Sequence, residues 1–284
     1  MAIDPKKALG AKTEESSYSW TRDQVILYHL GVGAGDPPLD PGELEYSYEK
    51  NLKVLPSFGV VPVFSSMAGL AGAPGMEFNF AMLLHGEQDI EIHRPIPPEA
   101  SITNAGEIVG IYDKTKAALV VFEVKSRDEA GQPLFTNRFS LFIRGEGGFG
   151  GDSGPKAGNK PPERDPDGVI SSQTMPQQAL LYRLSGDKNP LHADPEFAKM
   201  AGFDKPIIHG LCSFGVVCKA IVDNVLGGDV AQVARYQARF AGVGFPGETY
   251  LTSYWKQDDK ILIQTRSKER EAAIITNAAI TVRG

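Results

Sequence analysis

The sequence predicts an α+β fold in which one arrangement of elements occurs twice. Each half of the 284-residue chain reads as a short helix, an apolar segment and then a series of strand-like runs. Between the halves, residues 145–168 contain Gly, Pro and charged residues with almost nothing apolar, which is typical of a linker. Strands that pack on a helix in each half give the α+β class. We therefore predict an N-terminal domain at 1–150, a linker at 151–167 and a C-terminal domain at 168–284.

The first half begins with a polar segment, residues 1–17, that we expect to be loosely held. The pattern from Thr21 to Gln24 is a capping box and predicts a short helix that ends at Gly31. An apolar segment follows at 49–86, and its Gly and Pro residues break any long helix. Next come four strand-like runs, several of which alternate apolar and polar residues: 88–93, 101–112, 117–125 and 134–143.

The second half repeats this order of elements. A capping-box pattern recurs from Thr174 to Gln177, and Tyr182 follows it as Tyr28 follows the first one. Asp194-Pro195 predicts a further helix start. The apolar run 211–226 predicts a long central helix that ends at a pair of glycines. Four strand-like runs complete this half: 233–240, 249–257, 260–267 and 272–282.

A His-Gly dipeptide occurs in each half, at His85-Gly86 and at His209-Gly210. The interval from the helix tyrosine to this dipeptide is 57 residues in the first half and 27 in the second. If the dipeptides are counterparts, the first half carries thirty extra residues within 52–84. These residues either fill the place of a central helix or leave an apolar tunnel. The large apolar residues concerned are Val54, Leu55, Phe58, Val60, Val61, Val63, Phe64, Phe78 and Phe80.

Composition and charge argue against several classes of partner. With 29 basic and 35 acidic residues the net charge is −6, and no basic run offsets it, so nucleic-acid binding is not expected. No apolar run reaches the roughly 18 residues that a membrane span needs. Cys212 and Cys218 lack the spacing of a disulfide framework or a CxxC pair. Buried free thiols and a reducing compartment are therefore expected.

The two ends of the sequence carry no recognisable address. The first residues contain no apolar signal core, and the last three, Val-Arg-Gly, differ from a Ser-Lys-Leu-type peroxisomal signal. The expected location is intracellular, either cytoplasmic or peroxisomal.

The stretch from Tyr182 to His192 carries the most chemistry. It places Asp187, Asn189 and His192 within six residues, bent by a Gly-Asp turn and a proline. A carboxylate and an imidazole this close can share the proton handling of one water molecule. At the start of the predicted central helix, Gly210 offers a backbone N–H at the positive end of that helix without a blocking side chain. Such an N–H suits an oxyanion hole.

Taken singly, each of these residues has a simpler interpretation. A Gly-Asp turn is most often only a turn, and a histidine beside a proline is most often structural. His192 and His209 do not have the spacing of zinc ligands, so no metal site is predicted.

The pattern Tyr-x-Leu-Ser-Gly-Asp-x-Asn-Pro-Leu-His resembles the signature of the MaoC-like, type-2 enoyl-CoA hydratases. The chain is also similar to the hydratase part of the peroxisomal multifunctional enzyme of β-oxidation, over most of residues 18–284. This wider similarity includes three further segments, Leu84-His-Gly-Glu87, Phe240-Ala-Gly-Val-Gly-Phe-Pro-Gly247 and Tyr254-Trp-Lys256. The resemblance implies a double hot-dog, in which two fused hot-dog domains form one continuous antiparallel sheet.

The same resemblance implies an activity and a site. The activity is the reversible hydration of trans-2-enoyl-CoA to (3R)-3-hydroxyacyl-CoA in fatty-acid metabolism. No cofactor is implied, since coenzyme A is part of the substrate, and a homodimer is expected. The implied catalytic residues are Asp187, His192, Asn189 and Gly210. The implied substrate contacts are His85, Gly86, Lys114, Asp187, Lys188, Asn189, Pro190, Leu191, His192, Gly210 and Phe240.

Several alternatives stay open at this point. Lys114 also fits a solvated hairpin lysine, His85 and His209 also fit packed, hydrogen-bonded histidines, and Phe240 also fits a core residue of a strand. A MaoC-like dehydratase that acts on another acyl-CoA or on an acyl carrier protein has the same motif. A non-catalytic acyl-CoA-binding hot-dog protein is less consistent with it, because the Asp187, Asn189 and His192 set is intact.

Overall fold

Ten strands form a single antiparallel sheet in the computed structural model, which describes residues 3–79, 82–156 and 158–284. The strands of the first half are β1 (Ser16–Trp20), β2 (Leu83–Ile92), β3 (Ala100–Asp113), β4 (Ala117–Asp128) and β5 (Pro133–Arg144). Those of the second half are β6 (Gly168–Gln173), β7 (Val233–Phe240), β8 (Thr249–Gln257), β9 (Lys260–Ser267) and β10 (Ala273–Val282).

The spatial order of the strands is β1-β3-β4-β5-β2-β7-β10-β9-β8-β6. Each half therefore has the same internal order, and the halves meet where β2 pairs with β7. Ion pairs on the polar face join these two strands: Arg235 Nε donates to Asp89 Oδ1 at 2.8 Å, and Arg239 binds Glu87. The continuous sheet of a double hot-dog is confirmed.

The strands follow the alternation of the sequence because one face of the sheet is buried. In β2, Ile90 and Ile92 are buried, whereas the intervening acidic residues face outward. Three of the four predicted strands in the second half have the predicted bounds, and those of the first half agree to within a few residues.

Seven short and long α-helices are described: α1 (Pro5–Ala8), α2 (Arg22–Gly31), α3 (Pro41–Ser47), α4 (Ser66–Leu70), α5 (Gln178–Tyr182), α6 (Pro195–Met200) and α7 (Gly210–Val225). The predicted capping box of α2 is present, with Gln24 Oε1 accepting from Thr21 N at 2.9 Å. The helix α6 begins after Asp194, whose side chain accepts from two backbone N–H groups, as predicted.

The second predicted capping box is wrong. The Thr174 hydroxyl donates to Glu248 O at 2.7 Å, so it is bound to the neighbouring chain and α5 begins later, at Gln178. The pairing of α2 with α5 nevertheless brings Tyr28 and Tyr182 together in the core, with ring centroids 6.0 Å apart.

The helix α7 is the central helix of the second half. Its residues from Leu211 to Val222 are all buried, which is why it is apolar on every side. At Gly215 the helix passes so close to the first half that a Cβ would lie 2.5 Å from Val32 Cγ1. Cys212 and Cys218 are buried free thiols, as expected.

No helix of comparable length occupies the first half within the described residues. A 3₁₀ helix, Pro56–Val60, lies there instead and contacts β2, β5, β7 and α7. Leu55, Phe58 and Val63 are completely buried around it. The prediction that this segment lacks a long helix is confirmed.

The N-terminal segment is ordered by the sheet, so the expectation of a loose segment is wrong for residues 3–17. Asp4 caps α1, and β1 pairs with β3 at the sheet edge. The side chains of such an edge strand can stay polar because backbone hydrogen bonds hold it.

The two His-Gly dipeptides are not structural counterparts. His85-Gly86 lies in β2, which matches β7 in the sheet order, whereas His209-Gly210 begins α7. From Tyr28 to the start of β2 the chain advances 55 residues, and from Tyr182 to the start of β7 it advances 51. The inference of thirty extra residues is therefore wrong. The two halves have similar lengths here and differ in how the segment folds.

The segment between the halves touches both of them in turn. Asp113 N donates to Asp152 O at 2.8 Å, and Asp167 N donates to Tyr254 O at 2.9 Å. The predicted domain boundaries stay a prediction.

Within the described ranges, none of the helices has the length and apolar character to cross a membrane.

Candidate active site

The loop between α5 and α6 is shaped by side chains that bind their own backbone. Gly186 has φ +136°, a conformation that favours glycine. Asn189 N donates to Asp187 Oδ1 at 3.0 Å, and Leu191 N donates to Asn189 Oδ1 at 3.0 Å. The second bond caps a 3₁₀ helix, Pro190–His192. Asp187 is half-buried and Asn189 is exposed, so both face accessible space.

His192 is buried and fixed in one tautomer. Its Nδ1 donates to Ile207 O at 2.9 Å, which leaves Nε2 with a free lone pair. Burial lowers the pKa of His192, although the Ile207 carbonyl and the Asp187 carboxylate oppose this shift. The ring is therefore a neutral base at neutral pH.

A second histidine completes the cluster. His209 Nε2 donates to Asp187 O at 3.2 Å, and its ring stacks on His192 with centroids 3.7 Å apart and planes at 28°. One polar atom from each of Asp187, His192 and His209 lies within 4.8 Å of the others.

This cluster is poorly arranged for a metal ion. The lone pairs of a histidine lie in its ring plane, so the lone pairs of two stacked rings do not converge on one metal ion. The arrangement suits proton transfer, and the prediction of no metal site stays a prediction.

Gly210 is the first residue of α7 and is exposed beside this cluster. The first N–H groups of a helix have no partner within the helix and lie at its positive end. A Cβ at Gly210 would lie 3.4 Å from the Phe240 ring. The helix N-terminus is thus open on one side and bordered by Phe240 on the other.

The junction of β2 and β7 supplies the next group of residues. A β-bulge at Gly86 interrupts the pairing of β2 with β5, and a Cβ there would lie 2.5 Å from the Phe142 ring. The His85 ring meets Phe240 edge-to-face with centroids 5.0 Å apart. His85 Nε2 donates to Glu87 O at 3.0 Å, and burial lowers the pKa of His85 to about 4. His85 is neutral and belongs to the wall of the site.

Two cavities adjoin the candidate pair Asp187 and His192. Asp187 lines a narrow, apolar one of about 10 Å³ together with Val60, Val61, Phe64 and Leu211, which come from both halves of the chain. His192 lines a second cavity of about 260 Å³. Each candidate residue therefore borders a cavity, and polar atoms of the two residues lie within 4.8 Å of each other.

Family models match both halves of the chain. Residues 18–145 match the MFE-2 hydratase 2 N-terminal domain, and residues 157–278 match the MaoC like domain. An enoyl-CoA hydratase of Mycobacterium tuberculosis, ChsH3, is 43% identical over 277 residues, which cover 97% of each chain. The chain belongs to the MaoC-like hydratase 2 family.

Further relatives of this family agree with the fold. A peroxisomal enoyl-CoA hydratase 2 of Arabidopsis thaliana is 40% identical over 97% of this chain and 94% of its own. The crystal structure of a MaoC-like dehydratase from Phytophthora capsici superposes with a TM-score of 0.88, at 34% identity over 99% of both chains.

The structure brings most of the predicted site residues together. Asp187, His192 and Gly210 meet at the N-terminus of α7, and His85, Gly86 and Phe240 adjoin them. Lys188, Pro190 and Leu191 belong to the same loop, where the first two are exposed. Lys114 lies in the β3–β4 turn, half-buried, with its ammonium bound to Ser153 O. Its contact with a substrate stays a prediction.

Two details of the site were not predicted from the sequence. The backbone N–H of Asn189 binds the Asp187 carboxylate, and the side-chain oxygen of Asn189 caps the next turn. His209 is more than a packed histidine, because it contacts both Asp187 and His192. Its position directly before Gly210 was the available signal.

Proposed function

We propose that this protein catalyses the reversible hydration of trans-2-enoyl-CoA to (3R)-3-hydroxyacyl-CoA in fatty-acid metabolism. The observation that carries the proposal is that Asp187 and His192, whose Nε2 is unprotonated, have polar atoms within 4.8 Å of each other beside the open N-terminus of α7. The two relatives named above are enoyl-CoA hydratases, which supports the same reaction class.

The hydration step needs a base, an acid and a stabiliser of negative charge. We propose that Asp187 and His192 hold one water molecule, and that this pair takes a proton from it as its oxygen attacks C3. The pair then returns that proton to C2, so the water is added in full and the enzyme is regenerated. His192 serves as the initial base because its Nδ1 is already protonated and bound to Ile207 O.

The thioester oxygen gains negative charge as C3 is attacked. We propose that the Gly210 N–H binds this oxygen, since it is exposed at the positive end of α7 and carries no side chain. A single donor of this kind can lower the barrier by about 3 kcal/mol.

The remaining predicted contacts fit the two ends of the substrate. We propose that His85, Gly86 and Phe240 border the thioester, and that the apolar cavity at Asp187 receives the start of the acyl chain. Lys114 would reach a coenzyme A phosphate only after it releases Ser153 O. No cofactor is expected. A homodimer and a cytoplasmic or peroxisomal location remain predictions.

A spectrophotometric assay tests the proposal. Purified protein is mixed with crotonyl-CoA or decenoyl-CoA, with and without EDTA, and the loss of enoyl absorbance is followed. We expect hydration that EDTA does not change, and a product that only an R-specific 3-hydroxyacyl-CoA dehydrogenase oxidises. The proposal is wrong if the purified protein neither hydrates an enoyl-CoA nor dehydrates a 3-hydroxyacyl-CoA. Dehydration confined to acyl-carrier-protein thioesters would favour the dehydratase alternative.

A further inference from the structure

We propose that His209 is a positioning residue that fixes both members of the Asp187–His192 pair through one neutral imidazole. The proposal rests on the hydratase function above, and it adds to that function a residue whose own atoms take no part in the reaction.

Three contacts of His209 carry the argument. Its Nε2–H donates to Asp187 O at 3.2 Å, which fixes the backbone of the residue that bears the catalytic carboxylate. Its ring stacks on His192 at 3.7 Å, which fixes the tilt of the base. Its carbonyl oxygen accepts from Cys212 N and Ser213 N, both at 3.1 Å, and so begins α7.

One residue therefore connects the acid–base pair to the proposed oxyanion helix. The other bonds of the loop around Asp187 given above are short-range bonds to its own backbone, apart from the bond of His192 Nδ1 to Ile207 O. A displacement of the His209 ring would move Asp187 and His192 relative to Gly210. Even a small misplacement of the reacting groups causes a large loss of rate.

The charge state of His209 matters as much as its position. Its ring is 1% exposed, and its Nδ1 is buried without a hydrogen-bond partner among the described residues. It faces His192, Asp187, Arg183 and Tyr182. Burial and the adjacent His192 lower the pKa of His209 to about 3, so it remains neutral throughout the working range of the enzyme.

Neutrality has a catalytic consequence. When His192 takes a proton from water it becomes an imidazolium whose face lies against the neutral His209 ring. A cation over the face of an aromatic ring is stabilised, whereas a second cation at 3.7 Å would oppose its formation. His209 thus favours the protonated form of the base only while it stays uncharged itself.

Two substitutions separate the contacts. His209→Gln keeps an N–H donor for Asp187 O but removes the stacked ring, and His209→Phe keeps a ring but removes the donor. We expect each to lower kcat about tenfold or more while KM for decenoyl-CoA changes less than about threefold, because the lost interaction acts on the reacting groups. His29→Gln is the matched control, since His29 is equally buried and its ring binds Tyr46 O and Leu55 N, neither of which belongs to the cluster.

A spectroscopic readout distinguishes positioning from a general loss of folding. The chain has five histidines, so the side-chain ¹⁵N signals of His192 can be assigned by single substitutions. We expect the His192 titration to move to lower pH in His209→Gln, and to move less in His209→Phe, which retains a stacked ring.

The outcomes are distinguishable. Unchanged kcat and an unchanged His192 titration in the folded variants would overturn the proposal, as would an activity loss explained wholly by unfolding. If His209→Phe does not fold, His209→Gln alone decides. If the wild-type protein lacks hydratase activity, the proposed function fails, and the titration still reports whether His209 acts on His192.

Discussion

The two halves of this molecule share one sheet topology and differ in what lies on its apolar face. The second half has a sixteen-residue helix, α7, that begins at the cluster of Asp187, His192 and His209. In the first half the corresponding space holds the five-residue 3₁₀ helix Pro56–Val60 and irregular chain. Each strand of one half therefore has a counterpart in the other half. A long helix that begins at the candidate site is found once among the described residues.

This difference between the halves also shows what the apolar segment at 52–84 does. Leu55, Phe58 and Val63 are fully buried and fill the space of the missing helix. Among the described residues of this segment, Val60, Val61 and Phe64 line the cavity at Asp187. One part of the segment therefore fills the core, and another part borders the candidate site. Phe78 is partly buried against the core, and Phe80 lies outside the described residues.

The largest expected effect comes from separating the halves. Residues 168–284 expressed alone should be insoluble or inactive, because β7 would lose its pairing with β2 and expose an unpaired strand edge. The loss would also remove Val60 and Val61 from the site. Solubility, gel filtration and the decenoyl-CoA assay check this. A soluble and fully active fragment would show that the first half does not complete the site.

The next largest effect concerns the proposed catalytic pair, Asp187 and His192, which lies in the second half. Asp187→Ala and His192→Ala should each lower kcat by about 10²- to 10⁴-fold, because both handle the same proton. The double variant should lose little more than either single one.

Asp113→Ala is the control for this pair. Asp113 is the half-buried last residue of β3, and its carboxylate accepts from backbone N–H groups of Thr115, Gly148 and Gly150, so kcat should change little. Additive losses in the double variant would mean that Asp187 and His192 act in separate steps, and a near-normal single variant would remove that residue from the mechanism.

A smaller effect concerns the acyl chain and the cavity formed by both halves. Each methylene buried in an apolar cavity contributes up to ~0.8 kcal/mol. The kcat/KM for decenoyl-CoA should therefore exceed that for crotonyl-CoA by a few powers of ten, until diffusion limits it.

Substitutions at the cavity sharpen this test. Val61→Phe should narrow the gap in kcat/KM between the two substrates, and so should Phe78→Trp. Val169→Phe, at an exposed position of β6, is the control and should leave the ratio unchanged. A ratio that is flat or falls from crotonyl-CoA to decenoyl-CoA would mean that the segment at 52–84 only fills space.

The smallest effect is on stability and concerns the first half. His29 is fully buried, with Nδ1 donating to Tyr46 O at 2.8 Å and Nε2 accepting from Leu55 N at 3.2 Å. Burial lowers the pKa of His29 from 6.5 to about 4. The unfolded chain thus binds the proton first, and the free energy of unfolding should fall as pH drops below about 6.5, by up to ~1.4 kcal/mol per pH unit.

Denaturant unfolding between pH 7.5 and pH 5 measures this slope. His29→Gln should be less stable at pH 7 but should show a shallower fall, whereas His93→Gln, at a less buried position, serves as the control. An identical slope in wild type and His29→Gln would contradict the assignment of the acid sensitivity to His29.

Much of the fold could be predicted because strands and caps are encoded locally. The alternation in β7, β8 and β9 gave their bounds, and the capping box at Thr21 placed α2. The edge strands β1 and β6 were missed, since their polar side chains carry no periodic signal and they are defined by pairing with β3 and β8.

The sequence by itself determined the α+β class, the duplication, and the Asp187, Asn189 and His192 loop, because turns, caps and alternation act over a few residues. Tertiary structure alone decided which segments are counterparts. It placed His85 in a strand and His209 at a helix start, although both precede a glycine. It also decided that Lys114 binds Ser153 O and that His209 stacks on His192. These contacts join residues distant in the chain, and their geometry depends on how the sheet, α7 and the connecting segments pack.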